Sequence, residues 1–162
     1  MKKILFVGAS LFALNANALE YNPYVGVNYN YTNPSDSFAD DQNSVSVNVG
    51  TTYTENFGTE VYYQYTPAKE DGEQFFSYGL DLIGNLPLGC EATWEVLASA
   101  GVGAYEFWGK TDDDGYAFRY GAGLQYNVDE DWSVRAMYRY IDTRHLATDY
   151  INEVSVGAKY NF

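Results

Sequence analysis

One cysteine stands in 162 residues, so no internal disulfide can hold this chain together, and Cys90 reads as an incidental thiol. Bases are scarce too. Nine Lys and Arg against 22 Asp and Glu give a net charge of −13, which removes the basic footprint that nucleic-acid binding needs. Histidine occurs once, as His145. Asp142 and Asp149 are close to it in sequence but no serine is, and Ser37 or Ser77 would have to approach from other segments. A lone loop histidine is polar surface, so no enzyme, cofactor or metal centre is expected. Beyond the first residues the chain also lacks any apolar run of the roughly 20 residues a membrane-spanning helix requires.

What is present begins with MKKILFVGASLFALNANA. Two lysines, an apolar run and Ala16-Asn17-Ala18 follow the order of a secretory leader, so residues 1–18 are expected to be removed after Ala18. No cysteine sits at that point to carry a lipid anchor. Residues 19–162 then make one domain, and losing Lys2 and Lys3 leaves it more acidic still.

From Tyr21 onward, segments of about ten residues alternate in character, with turn-like stretches between them. In the first, Val25, Val27, Tyr29 and Tyr31 share a face; in the fifth, Trp94, Val96, Ala98, Ala100 and Val102 do; in the last, Val154, Val156, Ala158, Tyr160 and Phe162. The opposite face holds Gly, Asn, Ser, Thr and Gln, and charges of both signs: Glu60, Asp81, Glu95 and Glu153 with Arg119, Arg135, Arg139 and Lys159. A soluble sandwich would bury the apolar face and would not sort aromatics by depth. Here Tyr, Trp and Phe gather at segment ends while Val, Leu and Ala fill the middles, which is the pattern of two interfacial belts around a lipid-facing band. The fold expected is therefore all-β: an eight-stranded antiparallel up-and-down transmembrane β-barrel. Closure leaves no unpaired backbone in lipid.

An eight-strand interior is about wide enough for side chains to fill. The inward charges are expected to form a buried ion-pair network that plugs it, a narrow gated ion path being the alternative. Long joins are expected near residues 33–43, 66–74, 105–115 and 142–150, with short ones at ENFG and VDED; NLPLGCEA is too long for a tight turn. The long joins are acidic, and carboxylates there suit divalent cations. TDDDG at 111–115 lacks the alternating spacing of a dedicated calcium loop and reads as solvated.

The ending Ser155-x-Gly157-x-x-Tyr160-x-Phe162 resembles the C-terminal signal by which bacterial outer-membrane barrels are recognised for insertion. With it, stretches such as TENFGTEVYYQY and SVRAMYRYID are similar to hairpins of the small OmpA/OmpX-type, opacity/porin-like superfamily. The resemblance implies residence in the bacterial outer membrane as a monomer. Its implied partners are outer-membrane lipid and lipopolysaccharide, the barrel-assembly machinery during insertion, and divalent cations at the loops. It implies either a membrane-sealing role or adhesion to a host or environmental partner. No peptidoglycan-binding domain follows the barrel, so a cell-wall tether is not implied.

Overall fold

Alternation at period two, frequent Val, Tyr and Thr, and Gly or Asn-Asp punctuation leave each segment little choice but a strand. The computed structural model describes residues 21–35, 41–67, 74–89, 93–108, 113–144, 146 and 148–162. Eight strands follow in order: β1 (Asn22–Pro34), β2 (Gln42–Thr54), β3 (Phe57–Tyr65), β4 (Gln74–Leu88), β5 (Trp94–Trp108), β6 (Asp113–Asn127), β7 (Trp132–Asp142) and β8 (Tyr150–Asn161). Each pairs antiparallel with its sequence neighbours, and β8 returns to β1 to close the barrel.

The chain end is part of that closure. Val154 to Tyr160 lie between β1 and β7. The Asn161 and Phe162 amides donate to the Asp131 and Pro23 carbonyls at 2.7 and 3.0 Å. At the same end of the barrel, Asp129 Oδ1 accepts from the amides of Asp131 and Trp132 at 2.9 and 2.7 Å, an Asx-type turn that holds the β6–β7 join tight.

Two joins differ from the sequence reading. β5 and β6 remain paired up to Phe107 and Asp113, so most of 105–115 is strand and only four residues connect them. Likewise β4 pairs with β5 through Leu88 and Trp94, so NLPL is strand and the join narrows to residues 89–93, entered through Gly89 at φ 78°. Aspartates and a proline had suggested loops, but ladder bonds to a long partner strand override those local preferences. Cys90 lies outside the described residues, as do His145, the leader, and the long-join carboxylates Asp36, Asp40, Glu70, Asp71, Glu73 and Asp112.

Outward side chains follow the expected belts. At the end where β1 begins and β8 ends, Trp94 packs tilted against Tyr126 (4.9 Å between ring centroids) and Trp132 against Tyr160 (5.0 Å), while Tyr160 meets Phe162 edge-on (5.2 Å). At the other end Tyr63 meets Phe76 (4.6 Å) and Tyr140 meets Tyr150 (5.4 Å). Val27, Val47, Val49, Val61, Leu82, Val102, Val134 and Val156 stand exposed between them. An apolar band of this kind has no stable place in water but is at home in lipid.

Candidate functional site in the barrel lumen

The inward face is where the sequence put its unusual chemistry, and the structure arranges it in layers. Glu60 on β3 is fully buried and faces Arg135 on β7 across the lumen. Arg135 donates through Nη1 and Nη2 to the two Glu60 oxygens at 2.6 and 3.1 Å, a bidentate fork. Its Nε donates to Asn28 Oδ1 at 3.1 Å. Glu60 accepts further bonds from Asn48 Nδ2 (2.5 Å) and the Tyr24 hydroxyl (3.1 Å), while Asn28 donates to Asn48 (2.5 Å) and Ser46 (3.1 Å). Every charged atom of this pair therefore has a partner, which is the condition under which a buried ion pair is tolerated.

Nearer the loops lies a second group. Glu153 accepts from Arg139 Nη1 at 3.2 Å and from Gln64 Nε2 at 2.8 Å, and Arg139 Nη1 also donates to Ser155 Oγ at 2.8 Å. Arg119 and Arg139 flank Asp81 at 3.6 and 4.0 Å, and Arg119 lies 3.6 Å from Glu153. These three contacts are Coulombic without being hydrogen bonds; neither Asp81 oxygen accepts one. Arg119 instead stacks its guanidinium 3.6 Å above the Tyr62 ring, a desolvated cation–π contact.

Close packing makes room for these groups. A Cβ on Gly101 would lie 2.0 Å from Asp81 Oδ1, and one on Gly103 only 1.9 Å from the Tyr62 hydroxyl. Those positions are glycine because a neighbour's polar head occupies the side-chain space.

Of the charges read as interior, Glu60, Asp81, Arg119, Arg135, Arg139 and Glu153 are brought together. Lys159 and Glu95 are set apart. Lys159 lies over the Tyr24 ring at 4.7 Å, and Glu95 accepts from Gln125 (3.3 Å) and Asn127 (2.7 Å). Both line an open polar vestibule of about 960 Å³ at the terminal end, with Asn22, Asn85 and Asn161. Ser155 and Gly157, of the C-terminal pattern, face inward; Tyr160 and Phe162 face outward in the belt.

The sequence reading missed the apolar part of the lumen. Phe75, Tyr105, Phe107, Ala117, Ile141 and Ile151 form one buried cluster, with Leu146 packed against it. These residues sit at the loop ends of β4 to β8. The signal was there as alternation out of phase: each occupies an inward position of its strand, where an aromatic or aliphatic side chain had no partner in the polar pattern.

Described loop-end carboxylates include Asp41, Glu106, Asp113, Asp114, Asp142 and Asp149. Arg144 donates to Asp142 through Nε and Nη2 at 3.0 and 2.8 Å, and that carboxylate raises the guanidinium pKa further. Among the described residues no three acidic, histidine or cysteine side chains gather to hold a metal ion.

Comparison with known proteins agrees with this architecture. A family model described as an outer membrane protein beta-barrel domain matches residues 4–162. No curated protein matches the chain in sequence. Among solved structures, Neisserial surface protein A superposes with a TM-score of 0.64 at 15% identity, covering 88% of this chain and 97% of that one. The N-terminal β-barrel domain of Pseudomonas aeruginosa OprF gives 0.63 at 14% identity, covering 88% and 100%. Ail, the attachment invasion locus protein of Yersinia pestis, gives 0.59 at 16% identity, covering 90% and 100%.

Proposed function

This chain belongs to the outer-membrane protein β-barrel domain family, and on that premise we propose that it is a closed, monomeric scaffold whose acidic loop ends help seal the bacterial outer membrane. Residues 1–18 act as the export leader, and Ser155, Gly157, Tyr160 and Phe162 present the finished edge of β8 to the assembly machinery. The observation that carries the reading is the lumen: Glu60, Arg135, Arg139 and Glu153 are all but fully buried, with Glu60 bonded across it to Arg135, Glu153 across it to Gln64, and Arg139 to Glu153 on the adjacent strand. Such a filling rigidifies the barrel and leaves no aqueous path of the kind a porin has.

The loop ends supply the surface role. By the common plan of such barrels, short turns and termini face the periplasm and longer joins face outward. The outward joins carry carboxylates beside the lipopolysaccharide phosphates, and a divalent cation bridges two anions by taking oxygen ligands from both. Ail has been solved with the heparin analogue sucrose octasulfate. Acidic loop ends here would repel such a polyanion, which favours cation bridging over capture of a sulfated partner. No enzymatic role is proposed.

The test is detergent survival of a deletion strain carrying either the full chain or one with its four longer joins cut to tight turns, with and without added Mg²⁺. Rescue by the full chain alone, strengthened by Mg²⁺, supports the reading; equal rescue by both sinks the part assigned to the loops. A second reading, a narrow gated ion path, has one observation in its favour: Asp81 is touched by two arginines and bonded by neither.

A further inference from the structure

We propose that the vestibule where β1 begins and β8 ends binds a small zwitterion, a free α-amino acid or a short peptide with unblocked ends, whose carboxylate is held by Lys159 and whose ammonium faces Glu95. The inference goes beyond the sealing role and does not depend on it.

Lys159 is the inward cation without an acid. Arg119 has Asp81 and Glu153, Arg135 has Glu60, and Arg139 has Glu153. Among the described residues Lys159 has neither an ion pair nor a hydrogen bond; what faces its ammonium is the Tyr24 ring at 4.7 Å. The side chain is only 6% exposed. Yet the ammonium is not sealed in, as the orphaned nitrogens of Arg119 and Arg139 are, but opens on the vestibule. A charge held so far from bulk water is costly until an opposite charge compensates it. In a membrane protein such a residue marks a binding position rather than packing.

The carboxylate that could answer it is held away. Lys159 on β8 pairs in register with Ser133 on β7, and Ser133 with Asn127 on β6. Asn127 Nδ2 and Gln125 Nε2 donate to Glu95 at 2.7 and 3.3 Å, which ties that half-buried carboxylate to the β6 wall. One polar cavity is thus lined by a cation and an anion that do not meet, with the Asn22 and Asn161 side chains beside them. Two separated opposite charges among amides match a molecule that carries both charges itself.

The rim decides between ligands of different net charge. Glu55, Asp129 and Glu130 are exposed and line the opening. Their field opposes entry of a net anion such as phosphate. A simple cation gains from the rim but is repelled by Lys159 inside. A zwitterion brings no net charge past the rim, and each of its ends finds a partner.

The experiment titrates L-alanyl-L-alanine into the isotope-labelled chain folded in detergent micelles, following the amide resonances of Glu95, Ser133 and Lys159 by NMR. Saturable shifts are expected with the unblocked dipeptide. Affinity should fall at least about tenfold for its N-acetyl form and for its C-terminal amide form, each of which lacks one charge. Free alanine, titrated alongside, tells an amino-acid site from one that prefers a peptide. Equal binding of the acetyl form would reduce the site to a carboxylate site, and equal binding of the amide form to a cation site; either overturns the proposal. So does the absence of saturable shifts with both the dipeptide and alanine. Lys159→Met should abolish the shifts and Lys159→Arg should keep them, each chain being checked for folding by its heat-modifiable gel mobility. Shifts that persist in folded Lys159→Met overturn the role given to Lys159. The blocked peptides act on the unaltered chain, so the decision does not hang on any variant folding.

Discussion

Replacing Glu60 by Gln leaves Arg135 charged in a barrel wall where it is 3% exposed. At 2.6 Å and an effective dielectric of about 20, the attraction lost is roughly 6 kcal/mol. Part of it is recovered, because the amide oxygen still accepts from one of Asn48 and Tyr24 and the cost of burying a carboxylate is spared. Breaking one side of a buried pair typically costs about 3–5 kcal/mol, and that is the expected loss for Glu60→Gln or for Arg135→Met alone. The double variant Glu60→Gln/Arg135→Met should lose far less than the two singles together, since no uncompensated charge remains. The coupling should be at least about 2 kcal/mol. Urea unfolding of the barrel in lipid vesicles measures this, followed by the fluorescence of Trp94, Trp108 and Trp132, all partly exposed on the outer surface. Singles that cost under about 1 kcal/mol, or a double equal to their sum, would refute the view that this pair is an interlocked unit.

Asp81→Asn should change stability by no more than about 1 kcal/mol in the same assay, because Asp81 has no hydrogen bond to lose and its removal relieves a desolvation cost of several kcal/mol. A loss above about 3 kcal/mol would mean its long contacts to Arg119 and Arg139 bind as strongly as the Glu60 fork. Gly103→Ala should destabilise by about 1–3 kcal/mol and loosen the Arg119 stack, since the new methyl lands on the Tyr62 hydroxyl. Gly84→Ala, whose Cβ would find nothing nearer than 3.8 Å, should be close to neutral; equal effects at the two sites would show that the lumen repacks freely.

The fold was legible because one physical rule governs every strand. Val47 and Val49 turned outward commit Ser46 and Asn48 inward, and a slip of one residue would send all of them to the wrong solvent. The belts followed from the same alternation, and so did the inward positions of Glu60, Arg135, Arg139 and Glu153. The pairing across the lumen was not legible. Glu60 and Arg135 are 75 residues apart and meet across the lumen, where no ladder register in the sequence sets their height. Lys159 and Glu95 share the inward phase but sit near the terminal mouth, so phase alone could not tell a packed ion pair from a vestibule residue. The buried apolar cluster was hidden for a related reason. Tyr105 and Phe107 fell in the stretch 105–115 read as a long join, and only the inward phase of Phe75 separates it from its outward neighbour Phe76, read as a membrane-interface side chain. Strand ends misled in one further way, as Asp113 and Asp114 look like a loop but pair with Phe107 and Glu106.

The closure of the lumen is the claim on which the functional reading depends, and potassium flux tests it most directly. The unaltered chain, folded into liposomes loaded with potassium chloride and diluted into an isosmotic sodium salt, should release potassium no faster than protein-free liposomes. Release that rises in proportion to the amount of inserted barrel would contradict the account and make this protein a conducting channel.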